Sequence, residues 1–433
     1  MGTTHTVVVD LGFGDAGKGT VVDWLCAREG ARPVHAVVRF NGGAQAAHNV
    51  VTPGGRHHTF AQFGSGTFTP GVRTHLSRFM MVDPLALAAE ADHLRALGVT
   101  DALARLTVEG DALLTTPYHR AANRARELAR GEARHGSCGM GVGETARYAL
   151  EHPDAPRVAD CLSPARLRSS LTALRTRVLD EFPSAEVPSV EDCVAAYRAF
   201  ASAVEIVGDS YLRLLLAEGP VVFEGAQGVL LDELHGFHPY TTWSTTTFAN
   251  ALDLLDGAEA LRLAVVRKYA TRHGPGPFVT EDAALAVPEP HNTAKTWQGA
   301  FRRGHFDAVA LRYALRACDG ADALAVTHAD APDVRLCTAY EDFTELPVHA
   351  DLTAQESLTA SLMTARPVYT GTVSSAEDVA AALRLPLALA SYGPTSADKT
   401  PHGSALRPPA PARGRASIPP GRPVPGQRPA TAR

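Results

Sequence analysis

The chain has 433 residues, with 41 Lys plus Arg against 46 Asp plus Glu, for a formal net charge of -5. That length suffices for one large α/β unit or two ordinary domains around a sizeable core, and the near-balanced charge excludes a chain organised around a nucleic-acid or anionic-membrane footprint. No run approaches the roughly 20 apolar residues needed to span a bilayer, no charged-then-apolar leader opens the chain, and the six cysteines are scattered without a C-x-x-C pair. A cytoplasmic protein with reduced, mostly core cysteines is therefore expected, rather than a disulfide framework or a zinc knuckle.

In chain order, THTVVVDLG is a β-branched run closed by glycine, and GKGTVVDWLCAREGA after it has helical spacing, so a strand, a tight loop and a helix are predicted. HAVVRF, GPVVFEGAQG, RLAVVRKYATR, ADALAVTHAD and LPLALASYGP read as further strands, each stopping at a glycine, an acid or a polar cluster. Between them lie Ala, Leu and Arg-rich helical stretches such as PLALAAEADHLRALG and TTPYHRAANRARELARG. Strands alternating with helices predict an α/β fold with a mainly parallel central sheet, its ligands at the carboxyl edge. One large domain is expected over residues 1–400, followed by a Pro, Ala and Arg-rich tail over 401–433 that contains no acid and too little apolar surface to order itself.

The first loop, GFGDAGKGT, fits G-x-x-x-x-G-K from Gly12 to Lys18, between a strand and a helix. Gly12, Phe13, Gly14, Asp15, Ala16, Gly17, Lys18 and Gly19 are thus candidates for a phosphate cradle built from backbone N-H groups and one lysine. Two features are unusual: the residue after Lys18 is Gly19 rather than Ser or Thr, and Asp15 sits inside the loop. An acid beside phosphates is repelled unless a metal or a proton-transfer role compensates for it.

RFNGGAQAAHNVV (39–51), GSCGMGVGETARY (136–148), VVFEGAQGVLLDELHGFHPYTT (221–242) and RKYATRHGPGPFVTE (267–281) follow in order. Together with the first loop they resemble the adenylosuccinate synthetase family, over about residues 5 to 400. The resemblance implies a nucleotide-dependent C-N ligase with a P-loop-like GTP site. GTP would phosphorylate oxygen 6 of inosine monophosphate, and L-aspartate would displace the phosphoryl group. It further implies Asp15 as general base and, with the carbonyl of Gly43, as Mg2+ ligand; Lys18 and Gln227 would act at the reacting centre. Asn41, Ser137, Cys138, Gln227 and Thr242 would hold the acceptor nucleotide, while Thr296, Arg302 and Arg303 would grip the carboxylates of aspartate. Asp330, with Ser391, Gly393 and Pro394, would surround the donor base, where GTP is favoured and ATP stays open. A homodimer is implied as well.

The chain departs from the family pattern at Ala44, which replaces a histidine acting at oxygen 6, and at Met140 and His152, which replace arginines. His48 could take over the lost acid or only hold its loop; Arg147 or Arg157 could replace the lost arginine. Three departures around the acceptor point toward a modified purine-like acceptor, with ordinary inosine monophosphate as the alternative. A nucleotide-binding regulatory protein without turnover is the reading from another class, opposed by the retention of Asp15, Lys18 and Gln227.

Overall fold

The structure, a computed structural model, describes residues 5–28, 32–131, 134–287, 289 and 297–403. Its frame is a ten-stranded sheet. In chain order the strands are β1 (His5–Asp10), β2 (Ala36–Arg39), β3 (Arg73–Leu76), β4 (Leu106–Glu109), β5 (Glu205–Val207), β6 (Val221–Glu224), β7 (Ala260–Arg267), β8 (Ala323–Thr327), β9 (Leu387–Ser391) and β10 (Lys399–Pro401). They lie side by side as β10-β9-β8-β7-β1-β6-β2-β3-β4-β5. All neighbours run parallel except β10, which turns back along β9. The α/β expectation with a mainly parallel sheet is met, and ordered structure continues through β10 to the start of the expected tail. From Ser404 onward the tail lies outside the described residues.

The six strands read from apolar runs are the central ones, and their side chains show why. Val7, Val9, Phe223 and Val38 point into one core, while Val8, Val37, Val222 and Val265 point into another on the opposite face. Helices cover both faces, so these runs are apolar without alternation. A third core lies under the helices Pro84–Ala96, Pro117–Ala129, Pro164–Glu181 and Val190–Ala203, beside β3 to β5. The reversal of strand order that makes a ligand crevice falls at β1 and β6, from which β7 to β10 run outward on one side and β2 to β5 on the other.

Candidate functional site

The carboxyl ends of the central strands open into one cavity of about 1080 Å³. Phe13, Gly14, Asp15, Gly17, Lys18 and Gly19 line it, as do His48, Ser137, Cys138, Gln227, Thr242, Asp330, Ser391, Gly393 and Pro394. The residues proposed for phosphate, acceptor and base therefore share one space. Gly12 and Ala16 sit behind them, on a small adjoining cavity.

The loop is built from a residue the sequence reading passed over. Asp10, at the end of β1, accepts hydrogen bonds from Gly12 N at 2.7 Å, Ala16 N at 2.8 Å and Lys18 Nζ at 3.0 Å. Lys18 also donates to the Gly14 carbonyl at 2.7 Å and is only 2 % exposed. The ammonium is thus held over the turn before any phosphate arrives. Gly17 takes a left-handed conformation (φ 84°) and caps the helix Lys18–Ala27, whose first N-H groups face the loop. An acid at a strand end, two residues before a glycine turn, is the signal that could have found Asp10.

Gly19 has a packing reason. A Cβ on it would lie 2.7 Å from His48 Cβ and 3.1 Å from Ser65 Oγ. No hydroxyl-bearing residue fits there, so the missing Ser or Thr is a consequence of the close approach of His48 to the helix. Gly19→Ser is expected to lower stability by about 1–3 kcal/mol through overpacking, and to leave the Mg2+ dependence of any activity unimproved. Thermal melting and a Mg2+ titration check both points; a stable variant with tighter metal response would remove the steric explanation.

His48 donates from Nδ1 to Glu224 Oε1 at 2.6 Å. Burial, partly offset by Glu224, pushes the His48 pKa down to about 4. Burial alone would raise Glu224, but Arg39, His48 and Ser65 outweigh it and push Glu224 down to about 2. With Glu224 anionic, the single N-H of neutral His48 belongs to Nδ1, which leaves Nε2 as an acceptor. Of the two roles left open for His48, the geometry favours holding the loop over donating a proton in place of the residue lost at Ala44.

Asp15 is the loop's second acid. Its Oδ2 makes no hydrogen bond and lies at ion-pair distance, 3.4 Å, from His273 Nε2. Its carbonyl accepts from Arg267, which is paired in turn with Glu289. Across from it, Gln227 sits at φ 57° at the end of the β6 turn with Oε1 also unpartnered. One carboxylate with an oxygen free of hydrogen bonds beside a phosphate loop suits Mg2+, which is held by one or two carboxylates plus substrate phosphates rather than by an all-protein cage. Among the described residues no cluster of three or more His, Cys, Asp or Glu could hold a metal unaided. Gly43 is less suited to its expected role: its carbonyl accepts from Ala46 N at 3.3 Å, and the residue is not on the cavity wall.

Asn41 is placed differently from the expectation. It is fully buried, and its amide is bonded in both directions to the Ala226 backbone, at 2.9 and 2.7 Å. It thereby fixes the turn that carries Gln227, and it does not line the cavity. Ser137 donates to Asn123 Oδ1 at 3.0 Å and sits with Cys138 on the wall. Of the two arginines that could replace the one lost at His152, Arg147 lines the cavity, paired with Glu144 and Glu151; Arg157 bonds the Asp111 carbonyl away from it.

The amino-donor residues require a larger correction. Arg302 and Arg303 lie on the strand Phe301–Gly304, antiparallel to Ala270–His273, and not on a loop before a helix. Adjacent strand residues face opposite sides, so the two guanidiniums cannot close on one ligand together. Arg302 bonds Glu281 and the carbonyls of Gly274 and Gly276, while Arg303 points to the carbonyls of Leu285 and Val287. Neither lines the cavity; Arg272, opposite Arg302 in register, does. Burial and the nearby Arg302 push the Arg272 pKa down to about 9, and its guanidinium lies 4.3 Å over the Phe13 ring. Thr296 lies outside the described residues.

At the far end, Thr20 Oγ1 donates to the Pro394 carbonyl at 2.8 Å and Ala329 N to the Ser391 carbonyl at 2.9 Å. These bonds hold the ends of β8 and β9 around the exposed Asp330.

A carboxylate-bearing phosphate loop at the carboxyl edge of a parallel sheet, opening into one large cavity, defines a nucleotide-binding α/β enzyme. The chain belongs to the adenylosuccinate synthetase family, a family of C-N ligases: the model described as Adenylosuccinate synthetase matches residues 7–392. It is similar to the adenylosuccinate synthetase of Acidithiobacillus ferrooxidans, 35% identical over 355 residues covering 78% of this chain and 80% of that one. It is similar also to that of Marinomonas sp. (strain MWYL1), 33% identical over 395 residues, with 84% and 86% covered. Two solved structures share the fold. Fully ligated adenylosuccinate synthetase from Plasmodium falciparum superposes with a TM-score of 0.78 at 19% identity, over 92% of this chain and all (100%) of that one. Cyanophage S-2L succinoaminodeoxyadenylate synthetase, bound to dGMP and dATP, gives 0.56 at 18% identity, over 94% and 97%.

Proposed function

We propose that the protein joins L-aspartate to carbon 6 of a purine or purine-like nucleoside monophosphate, using a nucleoside triphosphate. The observation that carries this reading is the cavity-lining Asp15, whose Oδ2 makes no hydrogen bond and faces only His273, beside a loop whose lysine is already fixed by Asp10. Asp15 takes the ring N1 proton, and oxygen 6 attacks the γ-phosphorus as the bond to the leaving diphosphate breaks. The amine of aspartate then displaces inorganic phosphate at carbon 6, giving an N-succinyl nucleotide. Lys18 and the loop N-H groups offset the charge on the transferred group. Mg2+, held through Asp15, would supply further neutralisation between the carboxylate and the phosphates.

Ala44, Met140 and His152 support an acceptor other than inosine monophosphate through the family resemblance alone, each replacing a more basic family residue; none of the three lines the cavity of this chain. The cyanophage neighbour, whose fold this chain shares, holds dGMP. GTP is the donor of this reading, through Asp330 at the guanine N1 and N2 hydrogens. The catalytic unit is proposed to be a homodimer in the cytoplasm, the dimer being open to light scattering.

Purified protein with Mg2+, L-aspartate, GTP or ATP, and a series of purine monophosphates is expected to release diphosphate nucleotide and phosphate in step with a succinyl product. Triphosphate left unconsumed with every acceptor would overturn the ligase reading in favour of a binding protein.

A further inference from the structure

Away from the cavity, two histidines meet where a hairpin packs on a helix. The hairpin pairs His48–Val51 with His57–Phe60 and carries His48 and Asn49 on the cavity wall. His58, opposite Val50 in register, is 3 % exposed and packs edge-on against Phe60 and Phe68. Its Nδ1 lies 2.8 Å from Nδ1 of His93, an exposed residue of the helix Pro84–Ala96. On the other side of the ring, Nε2 is buried without a hydrogen bond and lies 3.5 Å from Oε1 of Glu90, about one turn earlier on that helix. Glu90 is itself fixed: Ala61 N, Gln62 N and Phe63 N donate to its carboxylate at 2.9, 2.9 and 3.3 Å. None of His58, Glu90 and His93 lines the cavity.

The carboxylate decides which nitrogen of His58 carries the proton. Held by three N-H groups, Glu90 only accepts, so the N-H of neutral His58 belongs to Nε2, facing it, and Nδ1 presents a lone pair to His93. A histidine whose far N-H meets a carboxylate and whose near nitrogen offers a lone pair is arranged as a metal ligand with its outer partner already in place. The spacing adds a preference of geometry. With bonds of about 2.0 Å, nitrogens at neighbouring corners of a square lie about 2.8 Å apart, whereas those at two corners of a tetrahedron lie about 3.3 Å apart. We propose that His58 Nδ1 and His93 Nδ1 form a binding site for a divalent transition ion that prefers tetragonal geometry, Cu2+ or Ni2+, with water at its other positions. The ion displaces no proton from the pair, because exposed His93 moves its N-H from Nδ1 to Nε2, where solvent accepts it. Among the described residues no third His, Cys, Asp or Glu joins the two, so the ion exchanges with the medium, unlike one in a closed structural site. It acts as a reversible clasp that ties the hairpin carrying His48 and Asn49 to the helix, whatever reaction the cavity performs.

The test titrates Ni2+ into the purified full-length chain by calorimetry, alongside His93→Ala and, as a control, His57→Ala, which removes another exposed histidine of the hairpin. Wild type and His57→Ala are expected to bind one equivalent. His93→Ala should bind at least about tenfold more weakly, since even the loss of an outer partner costs a metal site about 10- to 100-fold. Ni2+ at about 100 times its Kd should raise the melting temperature of wild type by about 3 °C and that of His93→Ala by less than about 1 °C. Without metal, His93→Ala should melt within about 1 °C of wild type, as an exposed substitution does, which separates lost binding from misfolding. With Cu2+, the electron spin resonance spectrum should show two equatorial nitrogens in wild type and fewer in His93→Ala. Equal Ni2+ affinity in wild type and His93→Ala, loss of binding in His57→Ala instead, no stoichiometric binding by wild type, or Zn2+ held more tightly than Ni2+ would overturn the proposal.

Discussion

Asp15→Asn is expected to lower turnover by about 10²- to 10⁴-fold, the contribution of a positioned general base, without lowering the melting temperature. The side chains are nearly isosteric, and Asp15 Oδ2 has no hydrogen bond to lose in the free protein. The Arg267 contact runs to the Asp15 carbonyl, which the substitution leaves in place. Only the ability to take a proton and to oppose a metal cation is removed. Both should appear in single-turnover experiments: formation of the 6-phosphoryl species slows, while displacement by aspartate from a preformed intermediate is less affected. A variant that keeps more than about a tenth of the wild-type rate would remove Asp15 from the base role. His273, 3.4 Å away, would then be the next candidate, because its Nδ1 is also unpartnered on the cavity wall.

What could be read before the fold was known divides along physical lines. The strands β1, β2, β6, β7, β8 and β9 are buried on both faces by helices, so their apolar runs announced them. β3, with the sequence RTHL, did not: its His75 is buried against Thr107, a partner visible only in three dimensions. At the site, Asp15, Lys18, Gln227, Ser137 and Thr242 do converge on one cavity: the first two follow β1, Gln227 and Thr242 follow β6, and Ser137 comes from the segment between the helices Pro117–Ala129 and Val142–Glu151. Asn41 is an expected ligand residue through the family resemblance alone. A buried turn needs the same residue type to satisfy the backbone of Ala226. The resemblance to the family's aspartate-binding segment makes Arg302 and Arg303 an expected carboxylate clamp; in a strand, adjacent residues face apart.

Asp10→Ala is expected to be the most damaging single substitution in the phosphate loop, because it removes three bonds and one charge at a point with no solvent. It would leave Gly12 N and Ala16 N without their acceptor, and Lys18, 2 % exposed, with only the Gly14 carbonyl. Removing one partner of a buried ion pair costs about 3–5 kcal/mol, since the other charge stays uncompensated. The denaturant midpoint should fall clearly, and triphosphate binding should be lost with it. A loss of binding on unfolding alone would look the same, so the double variant Asp10→Ala with Lys18→Met separates the causes. Replacing a buried ion pair by apolar groups is often neutral or better for stability, so the double variant should melt closer to wild type than the single one. It should still fail to bind triphosphate, because the cradle then has neither its lysine nor the carboxylate that shaped the loop. A single variant as stable as wild type would show that the loop is held elsewhere. A double variant that binds triphosphate would show that the backbone N-H groups and helix terminus suffice for the phosphates without Lys18.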